Sequence, residues 1–532
     1  MEPARKKELQ QKPHEVFDLF NNEGTNAKTA ISRTHTQELV IALCGPIGSP
    51  LHEVADAIHR TLTDKFDYED CKRIKLSSFI EKYASSVNES IPSTSEFEKI
   101  SAQINVGNAL RKKYGAAILA ELAVHDIRVD REQHKEKINS AAYLPRRVCH
   151  IVDSIKNQEE LELLRTVYRE MLYVVGVFVP LEQREESLKK RGLQPHETYK
   201  LIDRDSGEES NEGQTVRETF PQSDFFLRID SGTDTQLTRR VERFLHLILG
   251  TKLITPTANE TAMYAAASAA ANSACLSRQV GAAVTNSDGA VISIGWNDVP
   301  QFAGGLYGSN LDDSQSADHD QRCWNRGGKC YNDEEKDIFA ANLVEALSGF
   351  IPADRQDEAK KKIVEFPKLR GLIEFSRSIH AEMHAILNAG KFAGGQLAGG
   401  KLFVTTYPCH SCARHIIASG IKEVYYIEPY RKSLAVRLHG DAISEREHDV
   451  NKVILIPYDG VAPSRYLALF KVPADSRKEN GKLVRVALRS ATPRQEKSLE
   501  AFPTLEALVV KYLGEKQIIS NGVPAEDGPT AA

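Results

Sequence analysis

Ser378-Ile-His-Ala-Glu-Met-His384 and Tyr407-Pro-Cys-His-Ser-Cys412 decide how the C-terminal part of this 532-residue chain is built. His380 and the C-x-x-C pair Cys409 and Cys412 are three ligands of the kind Zn²⁺ takes, and three protein ligands leave a fourth position open for water. Water, with a pKa of about 15.7, is a poor nucleophile at neutral pH; on Zn²⁺ its pKa falls to about 7. Glu382 stands two residues after the histidine, placed to move protons without binding the metal. Both cysteines are expected as thiolates, because a metal lowers a thiol pKa. Apolar residues at Ile379, Met383, Ile386 and Leu387 predict a helix over 379–389. Lys401 to Thr406 predicts a strand, Cys409 to Ser419 a second helix ending at Gly420, and Lys422 to Ile427 another strand. The ligands therefore fall at two helix N-termini, where the helix dipole favours a thiolate. A C-x-x-C alone reads as readily as a structural zinc or a redox pair; the His-x-Glu and Pro408 point to catalysis.

The combination H-x-E…P-C-x-x-C is the signature of zinc nucleobase deaminases. Upstream, Gln279 to Asn286, a turn at Ser287-Asp-Gly289 and Val291 to Gly295 predict a hairpin, followed by Gly295-Trp-Asn-Asp-Val-Pro300. With Cys275-Leu-Ser-Arg278 and Ala413 to Ile421, these segments resemble the deoxycytidylate deaminases over residues 255–470. The resemblance implies an α/β/α domain with a five-stranded mixed sheet, Zn²⁺ as cofactor, attack at C4 of cytosine, and Glu382 as the catalytic acid–base. It also implies a deoxyribose contact from Asn297; the plain reading of Asn297 is a turn before Pro300. Arg278 is a candidate phosphate contact or simply a solvated arginine. Residues 301–377 form an insertion too long for a simple loop. His319, Cys323 and Cys330 within it read either as a second zinc site, which some deoxycytidylate deaminases carry near this place, or as ordinary reduced cysteines.

The N-terminal half carries a different pattern. Leu39 to Leu43 predicts a buried strand running into Gly45-Pro-Ile-Gly-Ser-Pro50, with a helix from Leu51 to Phe66. Strand, glycine loop and helix form the context in which loop N–H groups converge on phosphates. The full G-x-x-x-x-G-K-[ST] pattern is not met: Ser49 or Pro50 stands where the lysine belongs. Strands over 148–153, 172–180 and 224–230, each followed by a helix, imply a parallel sheet. These parts resemble P-loop nucleotide kinases over 38–250, with a Walker-B-like Asp153 and an Arg-rich lid helix from Arg184 to Arg191. Asp153 reads equally as an ordinary strand-end carboxylate. The resemblance implies a kinase-like fold that binds a nucleotide at Gly45, Gly48 and Ser49 in a regulatory role rather than transferring phosphate.

The length suggests more than one domain: a flexible N-terminus (1–36), a P-loop kinase-like domain (37–250), a deaminase-like domain (255–470) and a C-terminal extension with a flexible tail (471–532). With 69 basic and 73 acidic residues the net charge is −4, which gives no large footprint for duplex nucleic acid. No apolar stretch approaches the roughly 20 residues of a membrane helix. A polar N-terminus and cysteines used for metal fit a reducing cytoplasm. The acidic stretch 203–213 and the tail beyond 517 are expected to be flexible.

A deaminase-like domain behind a degenerate P-loop domain resembles the bacterial anti-phage dCTP deaminases over residues 37–470. That resemblance implies deamination of dCTP and dCMP to deplete the cytosine deoxynucleotide pool, with activity held off by a small regulatory RNA, and the deoxycytidylate deaminases imply a homo-oligomer. The alternative is a housekeeping dCMP deaminase supplying dUMP for thymidylate synthesis. A nucleic-acid editing protein would need a basic, aromatic-rich channel, and aromatics make up 7% of the chain with no basic run near the motif.

Overall fold

The computed structural model describes residues 35–516 apart from 93, 140–144, 206–214, 230–233, 310–319, 367–368, 370, 430–432, 473–476, 495–505, 507–508, 511–512 and 515. Of the segments expected to be flexible, residues 1–34, 206–213 and the tail from 517 lie outside the described residues. Contacts divide the chain into two units, 1–254 together with 467–532, and 255–466.

In the first unit, β1 (Leu39–Cys44), β2 (Asp70–Lys75), β3 (Val148–Ile155), β4 (Leu172–Phe178) and β5 (Phe225–Arg228) lie in the order β5-β4-β1-β3-β2, every pair parallel. Parallel neighbours need crossover connections, so helices cover both faces and the central strands read as unbroken apolar runs. β1, Leu-Val-Ile-Ala-Leu-Cys, is buried at every position. The crossovers are α1 (Leu51–Phe66) from β1; α2 (Leu76–Tyr83), α3 (Glu96–Tyr114) and α4 (Ile118–Lys137) between β2 and β3; α5 (Gln158–Tyr168) from β3; and α6 (Leu181–Lys190) with α7 (Pro195–Asp205) from β4. A last helix, α8 (Asp234–Ile248), packs on α1.

A buried ion network ties the start of β1 to the C-terminal segment. Glu38 accepts from Arg131 Nε at 2.9 Å and Arg146 Nε at 2.7 Å, and Arg131 also pairs with Glu506. Asp130 takes Arg146 Nη2 at 2.6 Å and His150 Nε2 at 3.1 Å. Val509 and Leu513 are buried beside Glu506's stretch, Lys516 Nζ reaches Glu121 at 2.6 Å, and the Arg494 N–H donates to Ile248 O at 2.8 Å.

The second unit opens with α9 (Ala258–Ala270), started by a Thr257/Glu260 capping box. β6 (Gly281–Thr285) and β7 (Val291–Trp296) form the expected antiparallel hairpin. β8 (Lys401–Thr406) is antiparallel to β6, while β9 (Glu423–Glu428) and β11 (Val453–Pro457) continue in parallel from β8. A two-residue strand, β10 (Ile443–Ser444), extends the five-stranded mixed sheet at its edge. The insertion holds two helices, α10 (Tyr331–Ala346) and α11 (Gln356–Glu365). The zinc-motif helices are α12 (Ala381–Ala393) and α13 (His410–Ala418). Among the described residues no helix is long and apolar enough to cross a membrane.

The buried network makes the first unit acid-sensitive. Burial pushes Glu38 up, but Arg131 and Arg146 outweigh it and hold the carboxyl at about 2; burial keeps His150 neutral, at about 3. Both folded values lie below the unfolded ones, so the stability these groups contribute is complete above about pH 6.5 and is lost as pH falls toward 3. The thermal transition is expected to drop across that window, and His150→Gln should flatten its upper part; an unaltered slope in the variant would exclude His150 as a cause. Glu506→Ala removes one partner of a buried pair, which costs about 3–5 kcal/mol, toward the lower end because Arg131 keeps Glu38. A loss under about 1 kcal/mol in urea denaturation, within the range of an exposed pair, would mean that the C-terminal segment adds little to this unit.

Candidate functional site

His380 is the N-cap of α12, extended at φ −77° and ψ 152°, with Glu382 in the helix's first turn. Cys409 caps α13 in the same way, and its Sγ accepts the Cys412 N–H at 3.4 Å. His380 Nδ1 lies 3.2 Å from Cys412 Sγ and 3.5 Å from Cys409 Sγ. All three ligand atoms fall within 4.8 Å of one another, the only such His/Cys/Asp/Glu group among the described residues. One imidazole nitrogen and two sulfurs are a donor set that fits Zn²⁺ with a coordination position left open, and Zn²⁺ is the cofactor of this site.

The electrostatics of the cluster suit a dication. Hydrogen bonds from Cys412 and His380 bring the Cys409 thiol down to about 4, and the bond to Cys409 raises His380 to about 9. Burial pushes Cys412 well up. The three groups share protons that a metal ion would replace. Glu382 is 3% exposed, and burial raises its pKa.

β7 rests so closely on α12 that a Cβ at Gly295 would sit 2.3 Å from Ala385 N and 2.6 Å from Ala381 O. The Trp296 N–H donates to His384 Nδ1 at 3.2 Å, and Ile379 N–H to Asp298 O at 3.0 Å. The end of β7 is thereby fastened to the start of the ligand helix. Asn297 Nδ2 donates to Arg278 O at 2.8 Å and its Oδ1 accepts the Val280 N–H at 2.7 Å, so its amide shapes the 278–280 loop. Arg278 pairs with Glu428. Asp298 went unnoticed in the sequence, yet it is 1% exposed, accepts the Ala274 N–H at 2.9 Å and the Val299 N–H at 2.8 Å, and faces Arg322 at 3.7 Å. Its only local signal was a carboxylate in a turn before Pro300. Of the second-zinc candidates, His319 lies outside the described residues. Cys323 Sγ is 4.0 Å from Arg377 Nη1 and Cys330 Sγ 3.4 Å from Ser277 Oγ, and neither joins a ligand group among the described residues.

In the first unit, the loop 45–50 links the end of central β1 to α1. Gly45 has no room for a side chain, since a Cβ would meet Val177 O at 2.7 Å, and Gly48 has φ +84°. The Ser49 N–H turns back to Pro46 O at 3.1 Å. Asp153 does not present a free carboxylate. Its Oδ2 takes Arg73 Nη2 at 2.6 Å and Nε at 2.9 Å, with His52 Nδ1 at 3.0 Å. The sequence reading missed Lys156, which follows β3 and places its Nζ 2.7 Å from Gly45 O.

Residues 256–428 match the family model described as "Cytidine and deoxycytidylate deaminase zinc-binding region". The deoxycytidylate deaminase of Enterobacteria phage T2 is 34% identical over 161 residues, which are 30% of this chain and 74% of that protein. ComE operon protein 2 of Bacillus subtilis (strain 168) is 52% identical over 56 residues, 10% of this chain and 29% of that protein. A crystal structure of the dCMP deaminase from cyanophage S-TIM5, in complex with dCMP and dUMP, covers 38% of this chain and 99% of its own at 20% identity, with a TM-score of 0.22, too low to add weight. Ligand set, buried glutamate and sequence match agree: through its second unit the chain belongs to the cytidine and deoxycytidylate deaminase family.

Proposed function

We propose that the chain hydrolyses the exocyclic amine of deoxycytidine nucleotides, dCTP and/or dCMP, and that it does so to deplete the dCTP pool as a defence against phage. The observation that carries the chemistry is the buried Glu382 carboxylate in the first turn of α12, beside the His380, Cys409 and Cys412 cluster. When bound, Zn²⁺ supplies a Lewis acid that makes water a nucleophile at neutral pH. His380, Cys409 and Cys412 would hold the ion from two helix N-termini. Glu382 takes a proton from the water, gives it to cytosine N3, and passes another to the exocyclic amine as ammonia leaves. Its burial favours the protonated form, which is the form needed for each donation. Cytosine and water thus become uracil and ammonia.

For the first unit we infer a P-loop kinase-like fold whose loop at Gly45, Gly48 and Ser49 binds a nucleotide in a regulatory role. The all-parallel order β5-β4-β1-β3-β2 with a glycine loop leaving the central strand supports this reading. Against phosphate transfer stand Ser49 in the place of a lysine and the engagement of Asp153 by Arg73. The same site chemistry serves a housekeeping dCMP deaminase that feeds thymidylate synthesis. Nucleotide pools in uninfected cells separate the two: a housekeeping enzyme shifts dCMP toward dUMP constitutively, and a defence enzyme stays silent until infection.

Purified protein incubated with dCMP, dCTP, CTP and cytosine-containing single-stranded DNA should release ammonia from the deoxynucleotides. Release from the DNA alone would refute the assignment. Glu382→Gln is expected to lose activity at or beyond the upper end of the roughly 10²–10⁴-fold that general acid–base groups contribute, while zinc per chain stays at the wild-type level. Cys409→Ala and Cys412→Ala should each lose the metal; wild-type zinc content in both would require a different ligand set.

A further inference from the structure

We propose that Asp205 is a built-in anion filling the phosphate slot of the 45–50 loop, and that a phosphate-bearing ligand binds there only by displacing it, with Lys156 as the cation the loop lacks. The proposal rests on reading the loop as a phosphate site. Asp205 is the last residue of α7 and is 1% exposed. Its Oδ2 accepts the Ile47 N–H at 2.6 Å, across 158 positions of sequence, and its Oδ1 accepts Lys156 Nζ at 2.8 Å. Lys156 Nζ donates in addition to Gly45 O at 2.7 Å.

A loop N–H and an ammonium converging on one buried anion are the partners that a phosphate-binding loop offers its ligand. Burying a carboxylate costs several kcal/mol unless such partners compensate, so Asp205 is held in this place by the groups a phosphate would use. An independent sign that the loop takes a ligand lies in one of its own side chains. Among the described residues, the Ser49 hydroxyl oxygen is buried with no hydrogen-bond partner. A carboxylate has two oxygens and one charge, and here one oxygen is turned to Ile47 and the other to Lys156. A phosphate brings a third oxygen and more charge, and can keep the Ile47 and Lys156 bonds while adding one to Ser49.

The arrangement also joins the loop to α6 and α7. On the far side of residue 47, Arg184 Nε of α6 donates to Ile47 O at 2.7 Å. Ile47 is thus clasped through both of its backbone polar groups. Displacing Asp205 frees the C-terminal end of α7 while Arg184 keeps its hold. A loop whose competent state is scarce binds its ligand more weakly by that fraction, so the resting protein discriminates against dilute phosphates.

Calorimetry on the full-length protein, with tripolyphosphate and with ATP as probes, tests this. Asp205→Asn keeps the shape and removes the competing charge, so it should bind at least about tenfold more tightly than wild type, as expected when an occluded state is removed. Adding Lys156→Gln to that variant should abolish the gain. Tightening with both probes marks polyphosphate itself as the recognised group, and tightening with ATP alone marks a nucleoside triphosphate; either supports the proposal. Equal affinity in wild type and Asp205→Asn overturns it and leaves the loop as a phosphate site. No binding by any variant overturns the reading of the loop as well. Should Asp205→Asn lack a cooperative melt, hydrogen exchange on the wild type decides: a saturating probe should speed exchange in 195–205 and slow it in 45–50, and unchanged or slower exchange in 195–205 overturns displacement.

Discussion

Everything at the metal cluster depends on one close contact, the backbone of β7 lying against α12 at Gly295. Any side chain there would drive Cβ to 2.3 Å from a helix nitrogen, well inside van der Waals contact. Because the contact is backbone on backbone, it fixes helix height as well as distance, and the Trp296 and Asp298 bonds to His384 and Ile379 lock the rotation. His380 and Glu382 then emerge at the end of the sheet where β8 delivers Cys409. Parallel pairing of β8 and β9 keeps α13 on one face and sets the second ligand pair at its N-terminus. A catalytic metal needs such rigidity, since loosely held ligands blur both the geometry and the pKa of what they bind.

The parts of the molecule legible in the sequence are those written in local spacing. His380 and Glu382, two residues apart, and the C-x-x-C pair carry their chemistry in a few positions, and α1 runs over the same Leu51–Phe66 span that its pattern predicts. β1 was readable because burial on both faces leaves an uninterrupted apolar run. The helices between β2 and β3 were not. α4 buries Ile118, Leu119, Ala120, Leu122, Ala123 and Val124 in near succession, so it is enclosed on several sides and has no single stripe to reveal it.

What stayed hidden is long-range pairing of charge. Nothing near Lys156 announces that it will meet Gly45, and nothing near Asp205 announces Ile47, since a lysine in a strand-to-helix turn and an aspartate at a helix end look solvated until a partner is placed beside them. The same holds for Asn297, whose amide meets the backbone of Arg278 and Val280, bonds that no local pattern announces. Asp153 is a further case: a strand-end carboxylate by its pattern, its Oδ2 meets Arg73 and His52, which no local spacing announces. Residue type at a position sets what a group can do; only its neighbours decide what it is left free to do.

The return of the chain to its first unit has a consequence for biogenesis. Arg131 meets Glu506 across 375 positions, and the whole of 255–466 is made in between. On a ribosome adding about 5–20 residues per second, the β1 side of the first unit stands without its last buried carboxylate until well after the deaminase unit has been made. Until then Arg131 has Glu38 as its remaining carboxylate partner, and the apolar surface that Val509 and Leu513 will cover is open to chaperones. The catalytic unit can therefore finish its own sheet before the unit that precedes it in sequence is complete, an order opposite to the N-to-C order of synthesis.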